Sequence, residues 1–325
     1  MQRLTPTLRH DGVGIELIAL IRTILAATKE ISFRVSQAEL AGILGSTLDE
    51  NIQGETQKKL DVVTNQLLKD MLLECEFVRA IASEEEPNSI AATPNAPFVV
   101  AFDPLDGSSN IDINGAIGTI FTIYQARGDV SDSDPKQFLQ GGRKQVCAGY
   151  VLYGASTKLV MTTGGPTRGY TLDRTHGGYL LTTAEFAVPS STQMFAINMA
   201  NQRFWQAGFK AYVDDLLAGE TGKRGKRFNM RWNAAMVADV HRTLEQGGLF
   251  AYPSDNRDKE KRAKLRLLYE ANPMAMLIEH AGGKAYTEQT AILDIEPTDL
   301  HQRVAVILGS QDEVETCLSY LADNQ

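Results

Sequence analysis

Two carboxylates three residues apart, Asp103 and Asp106, lie in the segment Asp-Pro-Leu-Asp-Gly-Ser-Ser-Asn at residues 103–110. The apolar run before them, residues 98–102, predicts a buried strand that ends where Pro104 and Gly107 turn the chain. Two carboxylates held this close repel each other, so one of them takes up a proton or a cation lies between them. Oxygen ligands at a rigid turn suit Mg²⁺, which completes its shell with water and phosphate. The alternative is an ordinary surface turn, since Asp, Pro and Gly are common turn residues.

A second acidic cluster, Glu84-Glu85-Glu86, follows another apolar stretch nineteen residues upstream of Asp103. Acidic residues at the exits of two neighbouring apolar segments are what a metal site at one edge of a sheet requires. The alternative is a solvated charge run. Other hydrolytic chemistries find less support, because the chain has neither a Gly-x-Ser-x-Gly elbow nor a Walker-type phosphate loop. Its five histidines show no metal-ligand spacing, and His241 is expected to be packed in a helix.

Several motifs together resemble class I fructose-1,6-bisphosphatases, which belong to the metal-dependent, lithium-sensitive sugar and inositol phosphatases. They are Ser-Glu-Glu at 83–85, the segment 102–112 and Ile-Gly-Thr-Ile-Phe at 117–121, with further matches at 57–61, 236–242 and 264–275. The Asp-Pro-Leu-Asp-Gly motif alone names the superfamily, whereas Lys-Leu-Arg-Leu-Leu-Tyr-Glu at 264–270 narrows it to sugar bisphosphatases. The resemblance runs from about residue 12 to the C-terminus. It implies an α/β fold, the layered α-β-α-β-α sugar phosphatase fold with mixed sheets.

The resemblance also implies a set of metal ligands and catalytic residues. The ligands of two or three Mg²⁺ ions per subunit, for which Mn²⁺ substitutes, would be the side chains of Glu84, Asp103, Asp106 and Glu270 and the carbonyl of Leu105. Asp61 and Glu85 would handle the proton of the attacking water, and Glu55 would close over the cluster from a mobile loop. The alternative for Glu55 and Asp61 is that helix N-termini favour acidic residues on electrostatic grounds alone.

The substrate pocket implied by the resemblance binds two phosphates. Lys264 and Arg266 alternate along an extended segment that leads to Glu270, which puts both on one face. The substrate-binding residues would be Gly107, Ser108, Ser109 and Arg266 at the phosphate that is cleaved, Lys264 and Met236 at the sugar, and Asn198, Tyr252 and Arg231 at the remote phosphate. Arg231 would reach that phosphate from a neighbouring subunit, so the site would be complete only in a homo-oligomer, expected to be a tetramer.

The chain departs from the family at several ligand-binding positions. Trp232 and Asn201 stand where many members have tyrosines that contact the remote phosphate, although the indole N–H is also a donor. At the AMP site of animal members this chain has residues 13–16, 97–98 and Gln125, which lack the two cations that would pair with the nucleotide phosphate. We therefore expect AMP to bind weakly or not at all there.

Composition excludes several classes of partner. The net charge of −8 argues against nucleic acid or an anionic membrane, and requires that a phosphate site use metals or local cations. No run of eighteen apolar residues or apolar signal core is present, and the three cysteines show no pairing pattern. We expect a cytoplasmic protein. The basic run at 223–227 is expected to be a solvated loop.

Periodicity predicts the elements that position these residues. Helices are expected at 13–35, 57–80, 201–217, 233–245, 272–281 and 310–322, with Asn272 as an N-cap before Pro273. Strands are expected at 97–102, 117–124, 146–153, 157–162, 168–173, 178–183, 248–252 and 303–309. Residues 128–144 are expected to form a mobile surface loop. A change of pattern near 185–190 predicts an N-terminal domain at 1–187 with most metal ligands and a C-terminal domain at 188–325 with the sugar-phosphate residues.

The resemblance thus implies Mg²⁺-dependent hydrolysis of the 1-phosphate of fructose 1,6-bisphosphate, a step of gluconeogenic sugar-phosphate metabolism. The alternative is a sedoheptulose-1,7-bisphosphatase or an enzyme with both activities. An inositol monophosphatase would not need Lys264, Arg231 and Tyr252. A metal-binding scaffold without turnover would not need the intact acidic set.

Overall fold

The computed structural model describes residues 2–37, 40, 42, 45–50, 56–257 and 263–323. Its α-helices are α1 (Leu4–His10), α2 (Ile15–Gln37), α3 (Lys59–Leu73), α4 (Ala207–Ala218), α5 (Met236–Gln246), α6 (Asn272–Glu279) and α7 (Gln311–Ala322). Among the described residues, none of these helices has the length and apolarity that a membrane crossing requires.

A sheet of eight strands forms the N-terminal half, in the order β10-β9-β8-β7-β6-β5-β3-β4. An antiparallel pair, β1 (Ser46–Glu50) and β2 (Thr56–Lys58), precedes it. The strands of the sheet are β3 (Val78–Ser83), β4 (Ile90–Ala91), β5 (Phe98–Asp106), β6 (Ile117–Gln125), β7 (Gln145–Tyr153), β8 (Thr157–Thr162), β9 (Arg168–Asp173) and β10 (Gly178–Thr183). The pairing is antiparallel except between β3 and β5, so the ends of these two parallel strands meet at one edge.

A second sheet of five mixed strands forms the C-terminal half, in the order β12-β11-β13-β17-β15. Its strands are β11 (Met194–Ile197), β12 (Asn229–Met230), β13 (Leu249–Tyr252), β15 (Lys284–Tyr286) and β17 (Val306–Gly309). Separately, β14 (Leu265–Arg266) pairs with β16 (Arg303–Val304).

Helices cover both sheets and lie between them. Helices α2 and α3 pack on one face of the first sheet, α5 and α6 lie between the two sheets, and α4 and α7 cover the outer face of the second. The apolar face of α5 buries Val237 and Val240 in the same core cluster as Ile120 of the first sheet and Phe250 of the second. This five-layer arrangement confirms the predicted α-β-α-β-α fold.

Several predicted elements are wrong at their boundaries. The helix expected over 201–217 begins at Ala207, and the strand expected over 303–309 is divided between β16 and β17. The helix expected over 57–80 ends at Leu73, and its last residues belong to β3. Since β3 is buried on both faces, its apolar run is continuous and cannot be told from a helix by periodicity. Asn272 is not an N-cap, because a π-helical turn, Leu267–Ala271, runs directly into α6. Its side chain instead donates to the Tyr124 hydroxyl at 3.3 Å.

Two segments expected to be exposed loops contain buried side chains. Residues 128–144 form two short 3₁₀ turns and bury Phe138 completely. In the basic run 223–227, the Arg224 guanidinium forms two hydrogen bonds of 2.8 and 3.0 Å with the buried carboxylate of Glu313 on α7. The Tyr212 hydroxyl donates to the same carboxylate at 2.7 Å. The sequence did not reveal this burial, because both segments are mostly polar and Gln137 and Gln140 are buried together with Phe138 in the first of them.

Arg224→Met is expected to lower the free energy of unfolding by about 3 kcal/mol, because it leaves the buried Glu313 carboxylate without its cation. Lys223→Met is the matched control. Lys223 pairs with Asp215 at 2.8 Å from an exposed position, and solvent screens such pairs so that they contribute little stability. Urea unfolding of both variants measures the difference, and equal destabilisation would contradict the structural role of Arg224.

Candidate active site

A pocket of ≈ 320 Å³ lies where the two sheets approach each other. Most of the predicted site residues line it: Asp61, Glu84, Glu85, Asp103, Leu105, Asp106, Gly107, Ser108, Ser109, Asn198, Met236, Tyr252, Lys264, Arg266 and Glu270. Trp232, Ala234, Ala235, Phe250 and Leu265 complete the lining. Arg231 does not line this pocket, and Glu55 lies outside the described residues. The structure therefore brings together residues from both halves of the chain.

Strand β5 extends further than predicted and includes both Asp103 and Asp106. The strand continues through Pro104 to Asp106, with an irregular register against β6 between the two aspartates. Proline cannot donate to the ladder, so a bulge here is expected. The Leu105 N–H donates to Asp103 Oδ1 at 2.9 Å, and the Val237 N–H donates to Asp106 Oδ2 at 2.7 Å. Both carboxylates are thus held by the backbone, which excludes an ordinary surface turn.

Glu270 reaches the two aspartates from the π-helical turn before α6. Carboxylate oxygens of Asp103, Asp106 and Glu270 all lie within 4.8 Å of one another, and the three residues are buried or nearly so. The Arg266 N–H donates to Glu270 Oε2 at 2.7 Å. Single π-helical turns are frequent at functional sites, and this one could not be read from the sequence.

Glu84, at the end of β3, faces a cation of the protein itself. Its Oε1 lies 2.7 Å from Nη1 of Arg266, and both side chains are almost completely buried. Glu84 is therefore not a member of the group of three carboxylates that approach one another most closely.

Asp61 lies in the first turn of α3 and has two distinct oxygens. Oδ2 accepts the Lys58 N–H at 2.8 Å, which caps the helix as electrostatics alone would favour. Oδ1 is buried without a hydrogen-bond partner. Burial, together with the charges of Glu85 and Glu84, raises the pKa of Asp61 to about 7 against the opposing hydrogen bond from Lys58. Helix capping therefore accounts for only one of its oxygens.

The three clustered carboxyls hold protons more tightly than usual. Burial is the largest cause, and it raises the pKa of Asp106 to about 7 and that of Glu270 to about 8. The pKa of Asp103 is also raised, by burial and by the charges of Glu84, Asp106 and Glu270. Buried oxygen ligands that repel one another are the donor set that a hard divalent cation neutralises, so these residues fit such an ion.

A turn at residues 233–235, which sequence reasoning missed, connects the two halves of the pocket. The N–H and the side-chain amide of Asn233 donate to Asp239 Oδ1 at 3.0 and 2.7 Å, and Asn110 Nδ2 donates to the Asn233 carbonyl at 2.8 Å. Ala234 is held at φ +59°, a left-handed conformation that costs a non-glycine residue about 1 kcal/mol. The sequence feature that could have indicated this turn is Asp239, an acidic residue within the predicted helix at 233–245.

Aromatic rings form part of the pocket wall. Trp232 stacks on Phe250 with ring centroids 6.2 Å apart and contacts Tyr252 at 6.4 Å. Asn201, the other departure from the family, is buried in a 3₁₀ turn and does not line the pocket. His241 is packed as predicted, with Nδ1 2.8 Å from the Tyr150 hydroxyl.

Comparisons with known proteins agree along the whole chain. Residues 7–184 match the family model described as fructose-1-6-bisphosphatase, N-terminal domain, and residues 188–322 match the corresponding C-terminal domain. A relative from Cellvibrio japonicus named fructose-1,6-bisphosphatase class 1 is 71% identical over 99% of this chain and 100% of its own length. One of the same name from Colwellia psychrerythraea is 64% identical, over 98% and 99%. The crystal structure of Leishmania major fructose-1,6-bisphosphatase in its holo form superposes with a TM-score of 0.92 at 36% identity, covering 98% of each chain.

Gly107→Ala tests the contact between the two halves of the pocket. Gly107 has φ +81°, and an added Cβ would lie 2.5 Å from the Cβ of Ala235. Gly164→Ala is the control, since Gly164 has φ +96° but no atom within 4 Å of an added Cβ. Both variants carry about 1 kcal/mol of backbone strain, so any further loss of stability in Gly107→Ala measures the clash. Thermal unfolding with equal losses in both would contradict a close contact.

Metal binding is expected to tighten as the pH rises. Because their pKa values are raised, Asp106 and Glu270 contribute stability to the metal-free protein that is present below about pH 4 and lost as the pH rises through about 7 to 8. A bound cation displaces these protons, so the rise in Tm caused by a divalent metal should be larger at about pH 8.5 than at about pH 6. If the metal raised Tm by the same amount at both pH values, Asp106 and Glu270 would not hold the protons inferred here.

Proposed function

We propose that the chain, which belongs to the class 1 fructose-1,6-bisphosphatase family, hydrolyses the 1-phosphate of fructose 1,6-bisphosphate and releases fructose 6-phosphate and inorganic phosphate. The observation that carries this proposal is the convergence of three buried carboxylates with the basic side chains Lys264 and Arg266 in one pocket. Hydrolysis of a phosphate ester depends on positioning and on neutralising charge, and this pocket offers both signs of charge.

Mg²⁺ is the proposed cofactor, at two or three ions per subunit, with Mn²⁺ as a substitute. The proposed ligands are Asp103, Asp106, Glu270, Glu84 and the Leu105 carbonyl. When bound, the ions supply charge neutralisation on the phosphoryl oxygens and a more acidic water. The chain's own contribution is to hold the ligands by backbone hydrogen bonds.

Asp61 is proposed to accept the proton of the attacking water, together with Glu85. A pKa of about 7 suits a general base that acts near neutral pH, and the unpaired Oδ1 of Asp61 has capacity to accept a hydrogen bond. Glu55 keeps its predicted role as an acidic residue that closes over the cluster.

The phosphate that is cleaved would bind between the loop at 107–109 and the Arg266 guanidinium. Gly107 begins a 3₁₀ turn, Ser108–Asn110, whose hydroxyls and N–H groups are donors for phosphate oxygens. Lys264 would contact sugar or phosphate oxygens.

The sugar and the remote phosphate would bind along the aromatic wall. Met236 and Trp232 offer apolar surface to the sugar, while Asn198 and Tyr252 offer polar groups to the remote phosphate. Arg231 is exposed, and its Nη1 donates to the Met230 carbonyl at 2.9 Å. These features support the prediction that Arg231 serves a neighbouring subunit of a homo-oligomer, proposed to be a tetramer.

Three further expectations remain predictions. The domain boundary near 185–190 is supported by the position where the two family models meet. A cytoplasmic location is proposed from composition. Weak or absent binding of AMP is proposed from the residues at 13–16, 97–98 and Gln125.

Release of phosphate from fructose 1,6-bisphosphate by the purified protein, with and without Mg²⁺, tests the proposal. Asp106→Asn should lower kcat/KM at least about a hundredfold, because it removes a ligand and its charge. Asp129→Asn is the control, since Asp129 is an exposed carboxylate paired with Arg127 on the surface. Near-normal rates of Asp106→Asn would show that the active site is not in this pocket. A kcat/KM higher on sedoheptulose 1,7-bisphosphate than on fructose 1,6-bisphosphate would show that the seven-carbon sugar is the preferred substrate.

A further inference from the structure

The Arg266 guanidinium forms an ion pair with Glu84, which is an expected metal ligand. Its Nη1 lies 2.7 Å from Glu84 Oε1, with only 4% of the Arg266 side chain and 11% of the Glu84 side chain exposed. Glu84 is correspondingly absent from the group of carboxylates within 4.8 Å of one another, Asp103, Asp106 and Glu270. Glu84 is therefore paired with a cation of the protein itself.

Only the side chain of Arg266 has to move for Glu84 to become available. The backbone of Arg266 is held by pairing with Arg303 in the β14–β16 ladder and by its N–H, which donates to Glu270 Oε2 at 2.7 Å. The guanidinium is on a long stem of rotatable bonds, and it lines the same pocket as Gly107, Ser108 and Ser109. A rotation of the side chain therefore carries the charge from Glu84 toward the phosphate position while the backbone N–H of Arg266 keeps its hydrogen bond to Glu270.

We propose that a bound metal ion replaces the Arg266 guanidinium at the Glu84 carboxylate. This replacement, called the exchange below, releases the guanidinium to bind the substrate phosphate. The proposal rests on the function proposed above, and it adds an order of events to it. Before loading, Arg266 is a counter-ion of Glu84. After loading, Glu84 is a ligand and Arg266 is a phosphate-binding residue.

The exchange couples two binding events through a single side chain. A buried carboxylate is stabilised by a nearby cation, and a divalent ion that binds Glu84 Oε1 repels the guanidinium from that oxygen. Metal binding therefore increases the affinity for phosphate, and by thermodynamic reciprocity phosphate increases the affinity for metal by the same factor. While Arg266 pairs with Glu84 it is not available to the phosphate, so substrate binds productively only after the metal has replaced it.

The test measures Mn²⁺ binding to the full chain without substrate, from the electron paramagnetic resonance signal of free Mn²⁺. Arg266→Met removes the competitor of the metal, and Lys264→Met is the matched control. Lys264 lines the same pocket and carries the same charge, but no ion pair connects it to Glu84 in the described residues. Removing one positive charge from the pocket favours Mn²⁺ in both variants. The proposal expects Arg266→Met to tighten binding on the order of tenfold more than Lys264→Met, which corresponds to one hydrogen bond between charged groups.

A second measurement keeps the proposal falsifiable where Arg266→Met folds poorly. Arg266→Lys retains the charge but loses the planar donor pair of the guanidinium. It should bind Mn²⁺ more tightly than the original protein and less tightly than Arg266→Met. In thermal unfolding without metal, Arg266→Met should show the lowest Tm, because Glu84 is then unpaired, and Mn²⁺ should raise that Tm by the largest increment.

Equal tightening in Arg266→Met and Lys264→Met, or weaker binding in Arg266→Met, would overturn the exchange. Because no turnover is measured, this failure is distinct from failure of the proposed function. If the original protein hydrolyses the bisphosphate and the two variants bind Mn²⁺ alike, the exchange alone is wrong. If the original protein binds no Mn²⁺, both the exchange and the proposed cofactor are wrong.

Discussion

Repulsion among buried carboxylates is the constraint on which the pocket depends. Asp103, Asp106 and Glu270 are packed within a few ångströms of one another in the protein interior, where charge is costly. The fold tolerates this because backbone N–H groups bind each carboxylate and because Arg266 compensates the neighbouring Glu84. Bringing these groups together is costly, and a bound cation would relieve that cost. The same packing that would be unfavourable in an ordinary core is therefore the source of the chemistry.

The layered architecture explains how acids distant in sequence meet. The parallel pair β3 and β5 delivers Glu84 and Asp103 to the same edge of the first sheet. The helices between the sheets then add the C-terminal contributions, with α5 presenting the Val237 N–H to Asp106 and the turn before α6 presenting Glu270. The second sheet supplies Tyr252 and Phe250 to the pocket wall. Neither half of the chain therefore forms the site alone.

Sequence reasoning identified most of the pocket, because the residues of 103–110 and 264–270 are chemically specific. It could not identify features that arise from backbone geometry. The bulge through Pro104 and the π-helical turn around Glu270 leave no periodic pattern. The continuous apolar run of β3 fits a helix as well as a buried strand. The pairing of Glu84 with Arg266 was also invisible, since it depends on side chains that meet only in the folded chain. Asp239 was missed because its partner, Asn233, is on an irregular segment.

The contact of Gly107 with Ala235 sets a limit on recombination between relatives. These residues lie in different halves of the chain, yet their separation leaves no room for one additional carbon atom. A chimera that joins the first half of this chain to the second half of a relative must therefore carry a residue at position 235 that fits against Gly107. At this contact the two halves are matched to within a single carbon atom, whatever their overall identity.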